Sequence, residues 1–264
     1  MRKDFDRVYL SAYGKVAVIT LNHPEVINAI SPRMARGLLE ALDFANDAAN
    51  GFRATVLTGE GRGFSSGANL AEAPEAGEVP DVGLYLEKYY HPLLFAMRDL
   101  DMPFVTAVNG AAAGIGMSFA LMGDIVLASR SAFFQQAFAR IGLVPDGGST
   151  WILPRLIGFA RARELSLLAE RLSAETALAW GLVNRVYDDA LLLDEAVALA
   201  RRLAEGPTLA LAATRRLFWA TAGNSFEQQL EMEKAEQRRA GKTADFREGI
   251  LAFLKKRPPQ FKGQ

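Results

Sequence analysis

The sequence predicts an α/β fold with a helical C-terminal subregion, and two observations support that prediction. Short apolar runs bounded by Gly, Pro or Asn, such as residues 54–58 and 104–108, alternate with segments whose apolar residues recur at helical spacing. Beyond residue 190 the strand pattern stops, and only helical periodicity follows. We therefore expect a core at residues 1–204 and a helical region at 205–264 that belongs to the same functional unit.

In the first hundred residues, turn and helix-cap residues separate the predicted strands and helices. Strands at 8–12 and 15–21 flank Tyr13-Gly14, a hairpin signal. Ser31 is placed as an N-cap before Pro32, which predicts a helix to about residue 50. After the strand at 54–58, we expect a glycine-rich loop at 59–70 that leads into a helix. A mobile surface loop at 72–82 and an amphipathic helix at 84–100 follow.

After residue 100, predicted strands alternate with helices, and the last part of the chain is predicted to be helical only. Strands are predicted at 104–108, 124–128, 133–134 and 183–186. The helix that follows the loop at 141–150 is expected to break at Pro154 and to end near Gly158. Ser173 is expected to begin a helix that stops at Gly181. The remaining predicted helices lie at 116–122, 160–168, 191–204, 208–221, 225–239 and 243–256.

Composition limits the function classes. The 264 residues are 50% hydrophobic, and Lys+Arg and Asp+Glu both number 30, which argues against nucleic-acid binding driven by bulk charge. From Lys234 onward, nine basic residues face three acidic ones; this excess could suit a phosphorylated ligand or form a solvated helix face. With no cysteine, thiolate chemistry is excluded. Only two histidines are present, and no cluster has metal-ligand spacing, so we expect no metal site.

The apolar segments predict a cytoplasmic protein outside the membrane. The first ten residues lack an apolar run, so we expect no signal peptide. The longest apolar stretch, at 103–129, is interrupted by Asn109, Ser118 and Asp124 and is rich in Gly and Ala. It is more typical of a buried strand, helix and strand than of a membrane span.

Two glycine-rich turns are the candidate chemical elements. PFVTAVNGAAAGIGMSFALMGDIVLAS spans 103–129, and GEGRGFSSGANL spans 59–70. Each places small residues where a strand meets a helix, which leaves backbone N–H groups free for an anion or an oxyanion. Tight packing of helix on sheet is the commoner reason for a single turn of this kind. Two turns that converged could form an oxyanion hole, but convergence does not follow from the sequence.

These two segments resemble the signature segments of the crotonase (enoyl-CoA hydratase/isomerase) superfamily. LNHPEVINAIS, IGLVPDGGSTWILPRLIG, LSAETALAWGLVNRV and FLKKRPPQF resemble its other segments in matching order. The resemblance is strongest to epoxyphenylacetyl-CoA isomerase-like members. It implies a spiral of ββα units, a C-terminal helical trimerisation region, and a homotrimer or homohexamer.

The resemblance also implies a ligand and its contacts. The ligand is an acyl-CoA thioester, so coenzyme A enters with the substrate and no separate cofactor is expected. The backbone N–H groups of Ala68 and Ile115 are the implied oxyanion donors. The implied CoA contacts are Val26, Asn28, Ser66, Asn69, Leu70, Phe253 and Lys256.

The pattern of acids points to an isomerase. Family hydratases carry two glutamates, at positions that are Ser118 and Phe138 here. Asp146 has the local sequence of a turn or helix-cap residue, but the resemblance makes it the acid/base. An apolar neighbour such as Phe138 would raise its pKa. Tyr89 and Tyr90 could line the acyl pocket or the core.

Three hypotheses therefore stand. The first is an acyl-CoA isomerase acting through a thioester enolate, in either an enoyl-CoA double-bond shift or a ring-epoxide isomerisation. The second keeps the fold but makes the protein a hydratase or hydrolase with an unlocated acid. The third is a non-catalytic binding or scaffold protein, against which the zero net charge argues where RNA is the ligand.

Overall fold

The computed structural model describes residues 1–72 and 81–264, and it contains two sheets surrounded by helices. The strands are β1 Arg2–Phe5, β2 Val8–Tyr13, β3 Val16–Leu21, β4 Ala54–Gly59, β5 Gly63–Ser65, β6 Phe104–Val108, β7 Ala111–Ala113, β8 Ile125–Ser129, β9 Phe133–Gln135, β10 Leu172–Ser173 and β11 Arg185–Tyr187. The helices are α1 Pro32–Asn46, α2 Val82–Tyr85, α3 His91–Arg98, α4 Ile115–Ala120, α5 Ser149–Leu168, α6 Ala174–Trp180, α7 Leu192–Ala204, α8 Thr208–Ala220, α9 Phe226–Ala240 and α10 Ala244–Leu254.

The larger sheet has the order β1-β2-β3-β4-β6-β8-β11. Its first three strands form an antiparallel meander, and the others are parallel. The parallel strands β4 and β6 are buried along their whole length, as expected for a sheet covered on both faces. One face packs against α7, and the other faces the main core, which includes α1, α3 and α4.

The smaller sheet has the order β10-β9-β7-β5 and positions the two glycine-rich turns. Within it, β5, β7 and β9 are parallel, and β10 is antiparallel to β9. The strands β5 and β7 are neighbours, and their carboxyl ends lie at the same edge of the sheet. The turns after these two strands, one from each signature segment, therefore begin side by side.

Four strands were absent from the sequence prediction: β1, β5, β7 and the two-residue β10. The first, β1, contains Lys3 and Asp4 and is an exposed edge strand, where charges prevent sheet-to-sheet association. Both β5 and β7 have only three residues and consist of Gly, Ala, Phe and Ser. Alanine and glycine have low strand propensity, so these two strands depend on pairing across the chain rather than on local preference.

Several predicted helix boundaries were wrong. The first helix ends at Asn46, and residues 48–50 form a separate 3₁₀ turn. The predicted break at Pro154 was wrong, because α5 continues through it at the cost of one hydrogen bond. The predicted end near Gly158 is confirmed, since Gly158 has non-helical φ of 77° and ψ of 160° and separates two helical segments. The predicted helix at 84–100 contains a π-helical turn at Leu86–Tyr90. Most of the loop predicted at 72–82, namely 73–80, lies outside the described residues.

Two helix caps and the first hairpin were predicted correctly. The side chains of Ser31 and Ser173 each accept a backbone N–H at the start of their helices, and Gly181 ends α6. Strands β2 and β3 form the predicted hairpin, but Tyr13 pairs with Val16, so the turn is at Gly14-Lys15.

In the described part of the chain, no helix is both long and apolar enough to cross a membrane.

Arg215 of α8 joins the C-terminal helices to the core. Its buried guanidinium lies 2.5 Å from Asp124 Oδ2, and it also donates to the carbonyls of Leu100 and Met97. Asp124 in turn accepts the backbone N–H of Phe104 at 2.7 Å. One buried cation therefore holds α8 against the segments on either side of β6.

We expect Arg215→Ala to lower the free energy of unfolding by about 3–5 kcal/mol, because it leaves Asp124 and two carbonyls without their donor. Urea unfolding followed by circular dichroism measures the change. The control is Arg130→Ala, whose ion pairs with Asp188 and Glu175 are exposed and worth less than about 1 kcal/mol each. Equal losses in the two variants would show that the buried guanidinium has no special role.

Candidate active site

The two glycine-rich turns converge. Each contains a glycine with positive φ immediately before the residue of interest: Gly67 at 105° precedes Ala68, and Gly114 at 51° precedes Ile115. A Cβ placed on Gly67 would lie 3.0 Å from the carbonyl oxygen of Ala113 and 3.9 Å from Gly114 Cα. The backbones therefore approach too closely for a side chain at position 67, and this approach brings the two turns together.

The N–H group of Ala68 points away from the neighbouring segment at Ile30. Ile30 donates to the carbonyl of Gly67 at 2.7 Å and accepts from Asn69 N–H at 3.0 Å, a parallel bridge centred on Ala68. In such a bridge the N–H of the central residue points to the opposite side. Ile115 is the first residue of α4, where backbone N–H groups have no partner within the helix. Among the described residues, neither N–H has an acceptor.

Both residues line one cavity of about 360 Å³. Its wall is mainly apolar and aromatic, and Asp146 is its only acidic side chain among the described residues. The lining consists of Ser66, Gly67, Ala68, Asn69, Leu70, Val82, Tyr85, Leu86, Tyr90, Gly114, Ile115, Ala137, Phe138, Arg140, Ile141, Leu143 and Asp146. The size and composition of this cavity are typical of a small-molecule site.

The acidic group of the cavity is the side-chain carboxyl of Asp146. Its Oδ1 is buried and has no hydrogen-bond partner among the described residues. Burial raises the pKa of the Asp146 carboxyl to about 6, because the charged form loses solvation. Phe138 lines the same cavity, which agrees with the predicted apolar neighbourhood. A carboxyl with a pKa near neutrality can both accept and return a proton.

The loop that contains Asp146 packs directly on α4. Gly147, with φ of 60°, lies so close that an added Cβ would be 2.5 Å from Ile115 Cδ1 and 2.6 Å from Ser118 Cβ. Only glycine fits there. The carboxylate is therefore held beside the helix whose first N–H is the second candidate donor.

The two positions where family hydratases carry glutamates are occupied differently here. Ser118 is fully buried, and its Oγ lies 3.1 Å from the carbonyl oxygen of Asp146 and 2.7 Å from Ser149 Oγ. It does not line the cavity. Phe138 does, but with a phenyl ring.

The predicted CoA contacts divide into three groups. Ser66, Asn69 and Leu70 line the cavity, and Ser66 Oγ donates to the carbonyl of Val26 at 2.9 Å, which ties Val26 to this edge. Phe253 and Lys256 do not line it: Phe253 is exposed at the end of α10, and Lys256 follows that helix. Within one chain, the tail and the cavity are therefore separate.

The side chain of Asn28 is bonded inside the protein. The residue is fully buried, its Nδ2 donates to the carbonyls of Glu60 and Gly63, and its Oδ1 accepts from His23 N–H. All three bonds are to backbone groups, so the side chain joins the loop at 23–28 to the start of β5. The CoA contact at Asn28 stays a prediction.

The prediction of which tyrosines line the cavity was only partly correct. Tyr90 lines the cavity, whereas Tyr89 does not; Tyr85, which the sequence did not single out, does. The rings of Tyr85 and Tyr90 meet edge to face with centroids 5.3 Å apart. The π-helical turn between them brings residues five apart to one side, and regular helical spacing gives no signal for that.

This chain belongs to the enoyl-CoA hydratase/isomerase family, whose family model matches residues 11–264. The predicted crotonase-type fold is thereby confirmed. The chain is 45% identical over 251 residues to 1,2-epoxyphenylacetyl-CoA isomerase from Escherichia coli (strain K12), covering 94% of this chain and 95% of that protein. It is 46% identical over 249 residues to a probable enoyl-CoA hydratase from Rhodobacter capsulatus, with 94% and 95% covered.

A solved structure supports the same assignment. The crystal structure of a putative enoyl-CoA hydratase/isomerase from Mycobacterium abscessus superposes with a TM-score of 0.91 at 38% identity. It covers 97% of this chain and 100% of that chain. The relatives include proteins named as isomerases and as hydratases, so the family assignment alone does not choose between the two reactions.

Proposed function

We propose that the protein is an acyl-CoA isomerase that works through a thioester enolate. The observation that carries the proposal concerns the described residues: they place a single carboxylate, Asp146, in one apolar cavity with two backbone donors that have no acceptor there, Ala68 and Ile115. The similarity to 1,2-epoxyphenylacetyl-CoA isomerase adds support. The reaction is either a β,γ to α,β double-bond shift or a ring-epoxide isomerisation.

For the double-bond shift, Asp146 removes a proton from the α-carbon. The electron pair of that C–H bond forms a double bond to the carbonyl carbon, and the carbonyl π pair moves to the thioester carbonyl oxygen. The N–H groups of Ala68 and Ile115 stabilise the resulting oxyanion. The carbonyl then re-forms, the enolate double-bond pair becomes the α,β double bond, and the former β,γ pair takes the proton back from Asp146 at the γ-carbon. No atom is gained or lost, so one carboxylate is sufficient.

Hydration is the weaker candidate because it needs one acid–base group that activates water and another that protonates the carbon skeleton. Ser118, at one hydratase glutamate position, is buried beneath the Asp146 loop with its hydroxyl bonded inside the protein. Phe138, at the other, has no ionisable group. The fold would have to supply a second acid from elsewhere for hydration or hydrolysis.

We further propose that Val26, Ser66, Asn69 and Leu70 contact CoA at the mouth of the cavity. Phe253 and Lys256 are proposed to reach the adenosine-phosphate end of CoA from a neighbouring subunit of a homotrimer or homohexamer, since neither lines the cavity of its own chain. A lysine paired with phosphate is chemically suited to this role.

The test is turnover in H₂¹⁸O of a β,γ-enoyl-CoA and, separately, of ring-epoxidised phenylacetyl-CoA. Mass spectrometry and α,β-enoyl thioester absorbance follow the product. An isomerase converts at least one substrate to a product of unchanged mass without ¹⁸O. Addition of labelled water would identify a hydratase, and release of free CoA would identify a hydrolase.

The pH dependence follows from the raised pKa of Asp146. Only the ionised form accepts a proton, so kcat/KM is expected to fall tenfold per pH unit below about pH 6 and to level off above it. A stopped-flow profile from pH 4.5 to 8 measures this midpoint. A flat profile, or a decrease above pH 6, would contradict Asp146 as the base.

A further inference from the structure

Beneath Asp146 lies a buried cluster of three polar side chains, Ser118, Gln136 and Ser149, each with no exposed surface. Ser149 Oγ lies 2.8 Å from the carbonyl oxygen of Asp146, and Ser149 N–H donates to that same oxygen at 3.1 Å. Ser118 Oγ lies 2.7 Å from Ser149 Oγ, and Gln136 Nε2 lies 3.3 Å from it. None of the three lines the cavity.

The proton inventory leaves two arrangements of these bonds. Each serine hydroxyl has one proton, and the Gln136 amide nitrogen can only donate. In one arrangement Ser149 donates to the Asp146 carbonyl and accepts from Ser118; in the other Ser118 donates to that carbonyl at 3.1 Å and accepts from Ser149. In both, Ser149 accepts from Gln136, one hydroxyl proton reaches the Asp146 carbonyl, and Ser149 is the residue on which the other two side chains converge.

The carboxylate of Asp146 has no comparable support of its own, because its Oδ1 has no partner among the described residues. Its position must therefore be set through its backbone. On one side that backbone is fixed by the contact of Gly147 with α4, and on the other by the N–H of Ser149 and a hydroxyl from Ser149 or Ser118. A displacement of about 1 Å of a catalytic group can cost about a hundredfold in rate.

We propose that Ser149, supported by Ser118 and Gln136, is a positioning residue that holds Asp146 against the candidate oxyanion hole. The proposal rests on the proposed function, since it concerns the base of that reaction. Ser149 does not touch substrate, so it acts on turnover and not on binding.

The experiment compares kcat and KM of Ser149→Ala with wild type, each also in the Asp146→Asn background. We expect Ser149→Ala to lower kcat about tenfold or more with KM within twofold. In the Asp146→Asn background, the same change is expected to have no further effect, because the group it positions is gone. Ser149→Thr, which keeps the hydroxyl, is expected to retain kcat within threefold. If Ser149→Ala does not fold, Ser149→Cys replaces it under the same thresholds.

Two results would overturn the proposal. One is a Ser149→Ala enzyme with kcat within twofold of wild type. The other is an equal further loss in the Asp146→Asn background, which would indicate a general structural role. An unimpaired Asp146→Asn enzyme would instead refute the proposed function itself, so the two failures are distinguishable.

Discussion

Replacement of Asp146 by Asn is expected to lower kcat about a thousandfold and to leave KM within a few-fold. The amide has nearly the same shape as the carboxyl but cannot accept the α-proton, and general base catalysis contributes about 10²–10⁴-fold. The buried Oδ1 has no hydrogen-bond partner among the described residues, so the change disrupts no known bond there. Steady-state turnover of the substrate established for wild type measures the loss.

The matched control is Asp43→Asn, which neutralises an exposed carboxylate of α1 outside the cavity. It is expected to leave kcat unchanged. An Asp146→Asn enzyme with wild-type kcat would show that another group moves the proton, and the search would then turn to residues of the hydratase hypothesis.

Replacement of Ile115 by Pro is expected to lower kcat by about 10²–10³-fold, because proline removes one of the two oxyanion donors. Position 115 is the first residue of α4, where the missing N–H breaks no helical bond. The loss should therefore fall on catalysis more than on folding. Steady-state kinetics, with circular dichroism of the same samples, separates the two.

Ile115→Val serves as the control because it also removes Cδ1, which lies against Gly147, but it keeps the N–H group. Its kcat is expected to stay within about threefold of wild type. Equal losses in the valine and proline variants would assign the effect to packing and would remove Ile115 from the oxyanion hole.

Much of the fold could be predicted from local sequence because the signals are local. Ser31 followed by Pro32, and Ser173 followed eight residues later by Gly181, mark helix ends that the structure retains. The short strands β5 and β7 could not be predicted, since Gly and Ala residues form strands only through pairing with distant segments. The continuation of α5 through Pro154 likewise depends on packing around it.

The candidate site was predictable only in part. The resemblance named Ala68, Ile115 and Asp146, and the structure brings all three to one cavity. Their convergence could not be deduced, because it depends on the close approach of Gly67 and Gly114. Tyr85 was missed because a π-helical turn alters the spacing. The buried loop-supporting bonds of Asn28 were not predicted, because sequence does not distinguish a ligand contact from a side chain that supports a loop.

The most direct test of the central claim is α-hydrogen exchange of phenylacetyl-CoA in D₂O. This thioester can form the enolate, but it has no isolated alkene or epoxide to rearrange, so exchange reports on the base and the oxyanion hole alone. Mass spectrometry is expected to show deuterium uptake with wild type and essentially none with Asp146→Asn. Equal uptake by the two enzymes, or none by a wild type that binds the thioester, would contradict enolate formation by Asp146.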